Sequence, residues 1–354
     1  MKPILRFGLI GLGRLGKIHA HNLVHHIGGA QLVAVCSLDE AELMEAQRTL
    51  GVSETYTDYE TMVKSPNLDA VVIVSPSGLH VDHIRLALAN NLHVFCEKPI
   101  GIDIAAIKSV LPMIEKSDKQ FMLGFMRRYD ESYAYAKTLI EAGELGEIAV
   151  MRCYSIDPAR DIDGFLQFVQ NGKSGGVFFD MAVHDIDVIR WLTGSEGKRV
   201  WATGYNKAYP HLTALGELET GTAMLELADN TVCFLLSGRN AAHGYQVETE
   251  IIGTKGSLTI AHHPEKNLVT LFNEQGVVRP CSLNFPERFR QAFVSELQAF
   301  VACIHDDQPP SITAHDGLMA SVVAQAMEDS FVSQTIVAIP SPTQVLGQDE
   351  GGNP

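Results

Sequence analysis

The 354-residue chain lacks any apolar run near the ~20 residues that a membrane-spanning helix needs, so no membrane partner is expected. It also lacks an excess of positive charge. Its 27 Lys+Arg against 42 Asp+Glu give a formal net charge of -15. That balance argues against general affinity for nucleic acid or for an anionic membrane surface. The six cysteines (Cys36, Cys96, Cys153, Cys233, Cys281, Cys303) include no C-x-x-C pair. Several fall in apolar strand patterns, so they read as reduced, buried small hydrophobes, and no metal site is expected from them. No charged-then-apolar leader precedes the first strand pattern, and the expected location is the cytoplasm. There is no internal repeat and no low-complexity tract. A chain of this length is expected to form two domains with a large core.

What is present begins at the first strand. Leu5 to Ile10 is a short apolar run that leads into Gly11-Leu12-Gly13-Arg14-Leu15-Gly16, a G-x-G-x-x-G turn followed by a helical stretch. The three glycines serve different ends. Gly11 makes the tight turn, Gly13 admits a pyrophosphate to the backbone, and Gly16 lets helix and strand pack closely. Phosphates would sit on the free N–H groups of the helix N-terminus, beside Arg14 and Leu15. The helix, Arg14 to His26, carries His19, His21, His25 and His26. No acid or cysteine on that helix joins them, so they are expected to be solvated or half-buried rather than metal ligands. Gln31 to Cys36 is the second strand. At its end, where an acid to bind the ribose 2′-OH of NAD is expected, stands Ser37, with Asp39 two residues on. Ser37 leaves room for the 2′-phosphate of NADP, yet no arginine follows to pair with it. Asp39 reaching the ribose from the loop favours NAD, with NADP kept open.

Strands and helices then alternate. Helices are expected over 41–50, 58–64, 80–90 and 104–115, the last with a break at Pro112. Strands are expected over 69–75, 93–99 and 120–125. The pattern predicts an α/β, doubly wound parallel sheet with right-handed crossovers. Ligands of such sheets bind outside the carboxyl ends of the strands, and Gly11, Ser37, Ser75 and Lys98 all fall there. Pro76, His80 and Glu97 complete the expected cofactor edge. A lysine at the end of an otherwise apolar strand is costly unless it faces a polar cleft, which makes Lys98 a functional candidate rather than a rim lysine paired with Glu97. A cis bond at Pro99 would fix that turn.

Past residue 125 the texture changes. Strand patterns over 146–156, 200–205, 221–227, 231–238, 248–252, 257–260 and 268–272 predict a second, α+β domain with a large, mostly antiparallel sheet. Asp229-Asn230 is expected to be a hairpin turn. Helices 289–304 and 314–332 follow. The expected division is 1–125, 126–340 and a loose tail at 341–354. Within Gly175 to Asp187, a helix over 178–191 would put Asp180 and His184 at i and i+4 on one face. The carboxylate could then orient the imidazole, a natural general base near neutral pH. The plainer alternative is a helix start enriched in acids, with a satisfied histidine.

Together the glycine turn, Glu97-Lys98-Pro99, and Gly175-Gly176 with Asp180-x-x-x-His184 resemble the glucose–fructose oxidoreductase and inositol dehydrogenase family over nearly the whole chain. Gly124 to Asp130, Asp157-Pro158 and His243-Gly244-Tyr245 add to the likeness with its inositol dehydrogenases. The resemblance implies a Rossmann domain followed by an open-faced sheet domain, often assembled as a tetramer through the sheets. It implies a catalytic triad of Lys98, Asp180 and His184. Substrate hydroxyls would be met by these residues with Arg127, Asp157, Asp187, His243 and Tyr245. The activity implied is NAD-dependent oxidation of a polyol, myo- or scyllo-inositol, to its keto product. Two alternatives follow from the same residues: an NADP(H)-linked oxidoreductase on another sugar, motivated by Ser37, and a catalytically silent cofactor-binding sensor. A methyltransferase would explain the glycine turn but neither Lys98 nor the Asp180/His184 pair.

Overall fold

The computed structural model describes residues 2–171 and 175–347. The chain divides into two compact units, Met1–Tyr129 with Gln291–Leu318, and Asp130–Arg290 with Met319–Pro354.

The first unit opens with β1 (Leu5–Ile10), α1 (Arg14–His25), β2 (Ala30–Cys36), α2 (Glu40–Leu50), β3 (Glu54–Tyr56), α3 (Tyr59–Val63) and β4 (Ala70–Ile73). It continues with α4 (His80–Ala89), β5 (His93–Glu97), α5 (Ile104–Lys116) and β6 (Phe121–Gly124). The six strands pair in parallel in the order β3-β2-β1-β4-β5-β6. Every residue of β4 is wholly buried, as a parallel strand covered on both faces requires. The strand order reverses between β1 and β4, which is where such sheets open a crevice for a ligand.

The second unit holds α6 (Glu131–Glu141), β7 (Ile148–Pro158), α7 (Ile162–Asn171), a π-helical turn over Phe178–Ala182, and α8 (Val183–Thr193). Then come β8 (Gly197–Tyr205), β9 (Thr220–Leu227), β10 (Val232–Ala241), β11 (Gln246–Gly253) and β12 (Ser257–Ile260). A separate hairpin, β13 (Leu271–Asn273) with β14 (Gly276–Val278), and the short α9 (Phe285–Arg288) follow. α10 (Arg290–Asp306), α11 (Ala314–Ser333), β15 (Val337–Ala338) and α12 (Pro342–Leu346) close the chain. The large sheet has seven strands in the order β12-β11-β7-β10-β9-β8-β15. β7 and β10 run parallel, and the other pairs are antiparallel. Asp229-Asn230 does form the β9–β10 turn, with Asn230 at φ 69°.

Three expectations need correction. The helix over 104–115 does not break: α5 runs through Pro112, which lies exposed, as does Lys108, whose carbonyl loses its helical partner there and can turn to water. The tail does not begin at 341. Ser341 and Gln344 form a capping box that starts α12, and 348–354 lie outside the described residues. Finally, a single boundary at 125/126 does not accommodate α10. Its Phe300 packs 6.3 Å from the Phe7 ring and 5.9 Å from Phe95, inside the first unit's core.

Candidate active site

In the first unit the three motif glycines have different surroundings. Gly11 has φ +93°, and a Cβ there would sit 2.5 Å from the Val74 carbonyl oxygen. A Cβ on Gly16 would sit 1.7 Å from the Gly11 carbonyl oxygen, so α1 meets the turn that leaves β1 backbone to backbone. A Cβ on Gly13 would meet no atom within 4 Å. That open space is what close approach of a pyrophosphate to the backbone requires. The start of α1 fits the same purpose. α2, α3, α5 and α6 are each capped by an aspartate (Asp39, Asp58, Asp103, Asp130). α1 starts at Gly13 with no side-chain cap and no acid in its first turn. No capping side chain competes there with an anion, which the helix dipole favours.

At the end of β2, Asp39 caps α2 by accepting from Ala41 N at 2.8 Å. Ser37 Oγ donates to Glu42 Oε2 at 2.6 Å and accepts from Asp39 N at 3.1 Å. Sequence reasoning passed over Glu42. It supplies a second carboxylate beside Ser37, and two acids there oppose a 2′-phosphate. At the end of β4, Ser75 is buried, and its Oγ lies 2.9 Å from His83 Nδ1. Pro76 is exposed beside it. His80 is buried at the start of α4, with both ring nitrogens on backbone carbonyls.

At the end of β5, Glu97 is 4% exposed, Lys98 half-buried, and the Lys98–Pro99 bond cis. Glu97 Oε2 accepts from Lys98 N at 3.2 Å, and Oε1 lies 2.7 Å from His19 Nε2. His19 is thus not solvated or half-buried: it is wholly enclosed, edge-on to Phe95 and Phe293, both at 5.6 Å. The other α1 histidines are exposed, and the rings of His21 and His25 lie 4.5 Å apart. Burial and this neighbour's charge push the His21 pKa down. Arg127, in the turn after β6, is 2% exposed.

In the second unit, Asp180 lies in the π-helical turn and His184 in the first turn of α8. The i, i+4 relation therefore straddles a change of helix type, which residue spacing alone does not reveal. Asp180 Oδ2 accepts from Arg239 Nη2 at 2.8 Å, and Arg239 Nη1 lies 3.4 Å from Asp157 Oδ2. The guanidinium also stacks 3.5 Å from the Phe165 ring centroid. Arg239, 3% exposed on β10, is the residue that draws two expected site acids together. The strand expected over 231–238 stops one residue short of it, whereas β10 runs on to Ala241. The partners of Arg239 are far off in sequence. Asp187 is wholly buried on α8. His243 is exposed, and Tyr245 is buried with its ring edge-on to Phe289 at 6.3 Å.

Residues 5–125 match the model described as "Oxidoreductase family, NAD-binding Rossmann fold", and 133–259 match the "GFO/IDH/MocA C-terminal domain". The chain belongs to this family. Among solved structures, scyllo-inositol dehydrogenase from Lactobacillus casei with bound NAD(H) and scyllo-inositol is 53% identical, with a TM-score of 0.92 over 95% of this chain and 99% of that one. Myo-inositol 2-dehydrogenase from Lactobacillus plantarum is 44% identical, with a TM-score of 0.94 over 96% of this chain and 100% of that one. Myo-inositol 2-dehydrogenase from Thermotoga maritima is 32% identical over 95% of this chain and 98% of its own length. NAD is therefore the cofactor to test against the first unit's residues. The open Gly13 backbone, the uncapped α1 and the acids beside Ser37 all fit it.

Proposed function

We propose that this chain is an NAD-dependent inositol 2-dehydrogenase that oxidises a ring hydroxyl of scyllo- or myo-inositol to the ketone. The observation that carries the proposal is the full-length likeness to the Lactobacillus casei enzyme with NAD(H) and scyllo-inositol bound. Identity is higher to that protein than to the myo-inositol enzyme of Lactobacillus plantarum, so scyllo-inositol is the first isomer to test.

Bound NAD supplies the hydride acceptor. The chain's own residues manage the proton and the charge. His184 takes the hydroxyl proton as the C–H bond breaks. Lys98 holds the same oxygen and stabilises the negative charge that develops on it. Asp180, fixed by Arg239, orients the pair. Arg127, Asp157, Asp187, His243 and Tyr245 meet the remaining hydroxyls, and each buried polar partner rejects an analogue lacking its OH. With NAD bound, Gly11, Gly13, Arg14, Leu15 and Gly16 would hold the pyrophosphate, Ser37 and Asp39 the ribose, and the edge of Ser75, Pro76 and Lys98 the nicotinamide half, with buried His80 and Glu97 behind that edge.

A homotetramer in the cytoplasm completes the proposal. No helix among the described residues is long and apolar enough to cross a membrane. Support for self-association lies on the large sheet. Trp201, Met224 and Phe234 are 40%, 46% and 42% exposed and are direct neighbours in register across β8, β9 and β10. Such an apolar row on an open sheet face suits contact with another copy.

The test is formation of reduced cofactor by absorbance, with scyllo-inositol, myo-inositol and glucose each against NAD and NADP. Inositol-dependent reduction of NAD, abolished in Lys98→Ala and His184→Ala while NADH still binds, is the expected result. Near-normal turnover in either variant overturns the roles. Turnover of glucose with NADP alone overturns the substrate and cofactor assignment.

A further inference from the structure

His80 is 1% exposed, and each of its ring nitrogens meets a backbone carbonyl. Nδ1 lies 2.7 Å from Pro99 O, and Nε2 lies 2.7 Å from Ser75 O. A carbonyl oxygen only accepts, and a neutral imidazole carries a single N–H. With a neutral ring, one contact would set a nitrogen lone pair against an oxygen lone pair at hydrogen-bond distance. With an imidazolium, both nitrogens donate. We propose that His80 is a buried imidazolium and a positioning residue for Lys98, clamping the Ser75 carbonyl at the end of β4 to the Pro99 carbonyl just past Lys98.

Burial is the main force against a charge on His80, the neighbouring Lys98 adds to it, and the net direction is downward from the ordinary 6.5. The two carbonyls and Glu97 act in the opposite sense, and charge-assisted hydrogen bonds are the strong ones. The Glu97 carboxylate is itself held by His19 and by the Lys98 N–H. Glu296 is wholly buried and pushed toward its neutral form by burial and by the Glu97 charge. On the same helix as His80, His83 is held neutral, pushed down to about 4 by burial and then by the His80 charge. It also grips Ser75 through Oγ. One helix therefore fixes Ser75 at two atoms while reaching across to the turn that carries Lys98.

This inference rests on Lys98 being catalytic, so the experiment has two arms. Neutron diffraction from the deuterated full chain at pD 8 locates the ring deuterons without any turnover. Deuterons on both His80 nitrogens are expected, and a single one overturns the imidazolium. The second arm compares turnover of H80Q, K98A and the H80Q/K98A double variant, with H80N in place of H80Q should that variant not fold. H80Q is expected to lose at least tenfold in kcat, and the double variant to be within about twofold of K98A. Losses that multiply instead show that His80 acts independently of Lys98 and overturn the positioning role. Wild-type turnover of inositol reports separately on the function itself.

Discussion

One added methyl group should do opposite things at two glycines three residues apart. At Gly16 the new Cβ would lie 1.7 Å from the Gly11 carbonyl oxygen, where a comfortable contact is about 3.5 Å. Neither atom belongs to a flexible side chain, so α1 must shift from the Gly11 turn by well over an ångström. Overpacking of this kind costs at least ~3 kcal/mol at the severe end, against ~1 kcal/mol gained from alanine's helix propensity. The net loss is about 2 kcal/mol or more, or roughly 4–8 °C in Tm for a unit of this size. At Gly13 the backbone is at φ -66° and ψ -168°, which alanine adopts freely, and no atom stands within 4 Å of the new Cβ. Stability should therefore stay within ~0.5 kcal/mol of wild type. The methyl would instead occupy the space a pyrophosphate needs. Losing one hydrogen bond to a charged group, ~1.5–3 kcal/mol, weakens NADH binding by about 10- to 150-fold. Urea unfolding and an NADH fluorescence titration on Gly13→Ala and Gly16→Ala read both quantities. If Gly13→Ala is as unstable as Gly16→Ala yet binds NADH normally, the division of labour among these glycines is wrong.

Other perturbations probe the charged groups. Replacing Arg239 by Met leaves Asp180 and Asp157 without their shared cation. A loss of about 2 kcal/mol is expected, below the ~3–5 kcal/mol of a fully buried pair because both acids are part-exposed. A fall in kcat of tenfold or more should accompany it; unfolding curves and steady-state rates at saturating substrate decide. Glu42→Arg replaces the acid on Ser37 with a cation, and the NADP-to-NAD ratio of kcat/KM should rise at least tenfold. An unchanged ratio would mean the ribose end of the cofactor lies elsewhere. His83 and His93 are each pushed down to about 4, chiefly by burial, from 6.5. The unfolded chain therefore takes up protons below about 6.5 that the folded chain refuses until about 4. Stability should fall as pH drops through that window and level off beneath it. A flat urea midpoint from pH 7 to 4 would contradict the burial of both rings.

How much was legible depended on how local each signal was. The β1–turn–α1 unit is written in consecutive residues, since glycines between an apolar strand and a helix leave few other options, and the alternation to β6 follows the same rule. Lys98 was legible because a lysine at the end of a buried strand is expensive without a purpose. Arg239 was not, because its partners Asp180 and Asp157 are 59 and 82 residues away and are brought to it only by the sheet and the turn before α8. The return of α10 to the first unit was hidden for the same reason. Its Phe293 and Phe300 read as an ordinary apolar helix face until the rings they meet are known. The π-helical turn at Phe178–Ala182 escaped because periodicity assigns one pitch to a whole helix.

The histidines show the same limit most sharply. His19, His21 and His25 lie on one helix with His26 at its end, and composition treats them alike. α1 presents His19 to Phe95, Phe293 and Glu97, and leaves the other three in water. His80 and His83, one turn apart on α4, resolve further into a ring set between two backbone carbonyls and a ring held neutral. Residue type sets what an imidazole can do, but the acceptors around it decide its charge. In this chain those acceptors are backbone carbonyls at strand ends, which no side-chain pattern in the sequence records.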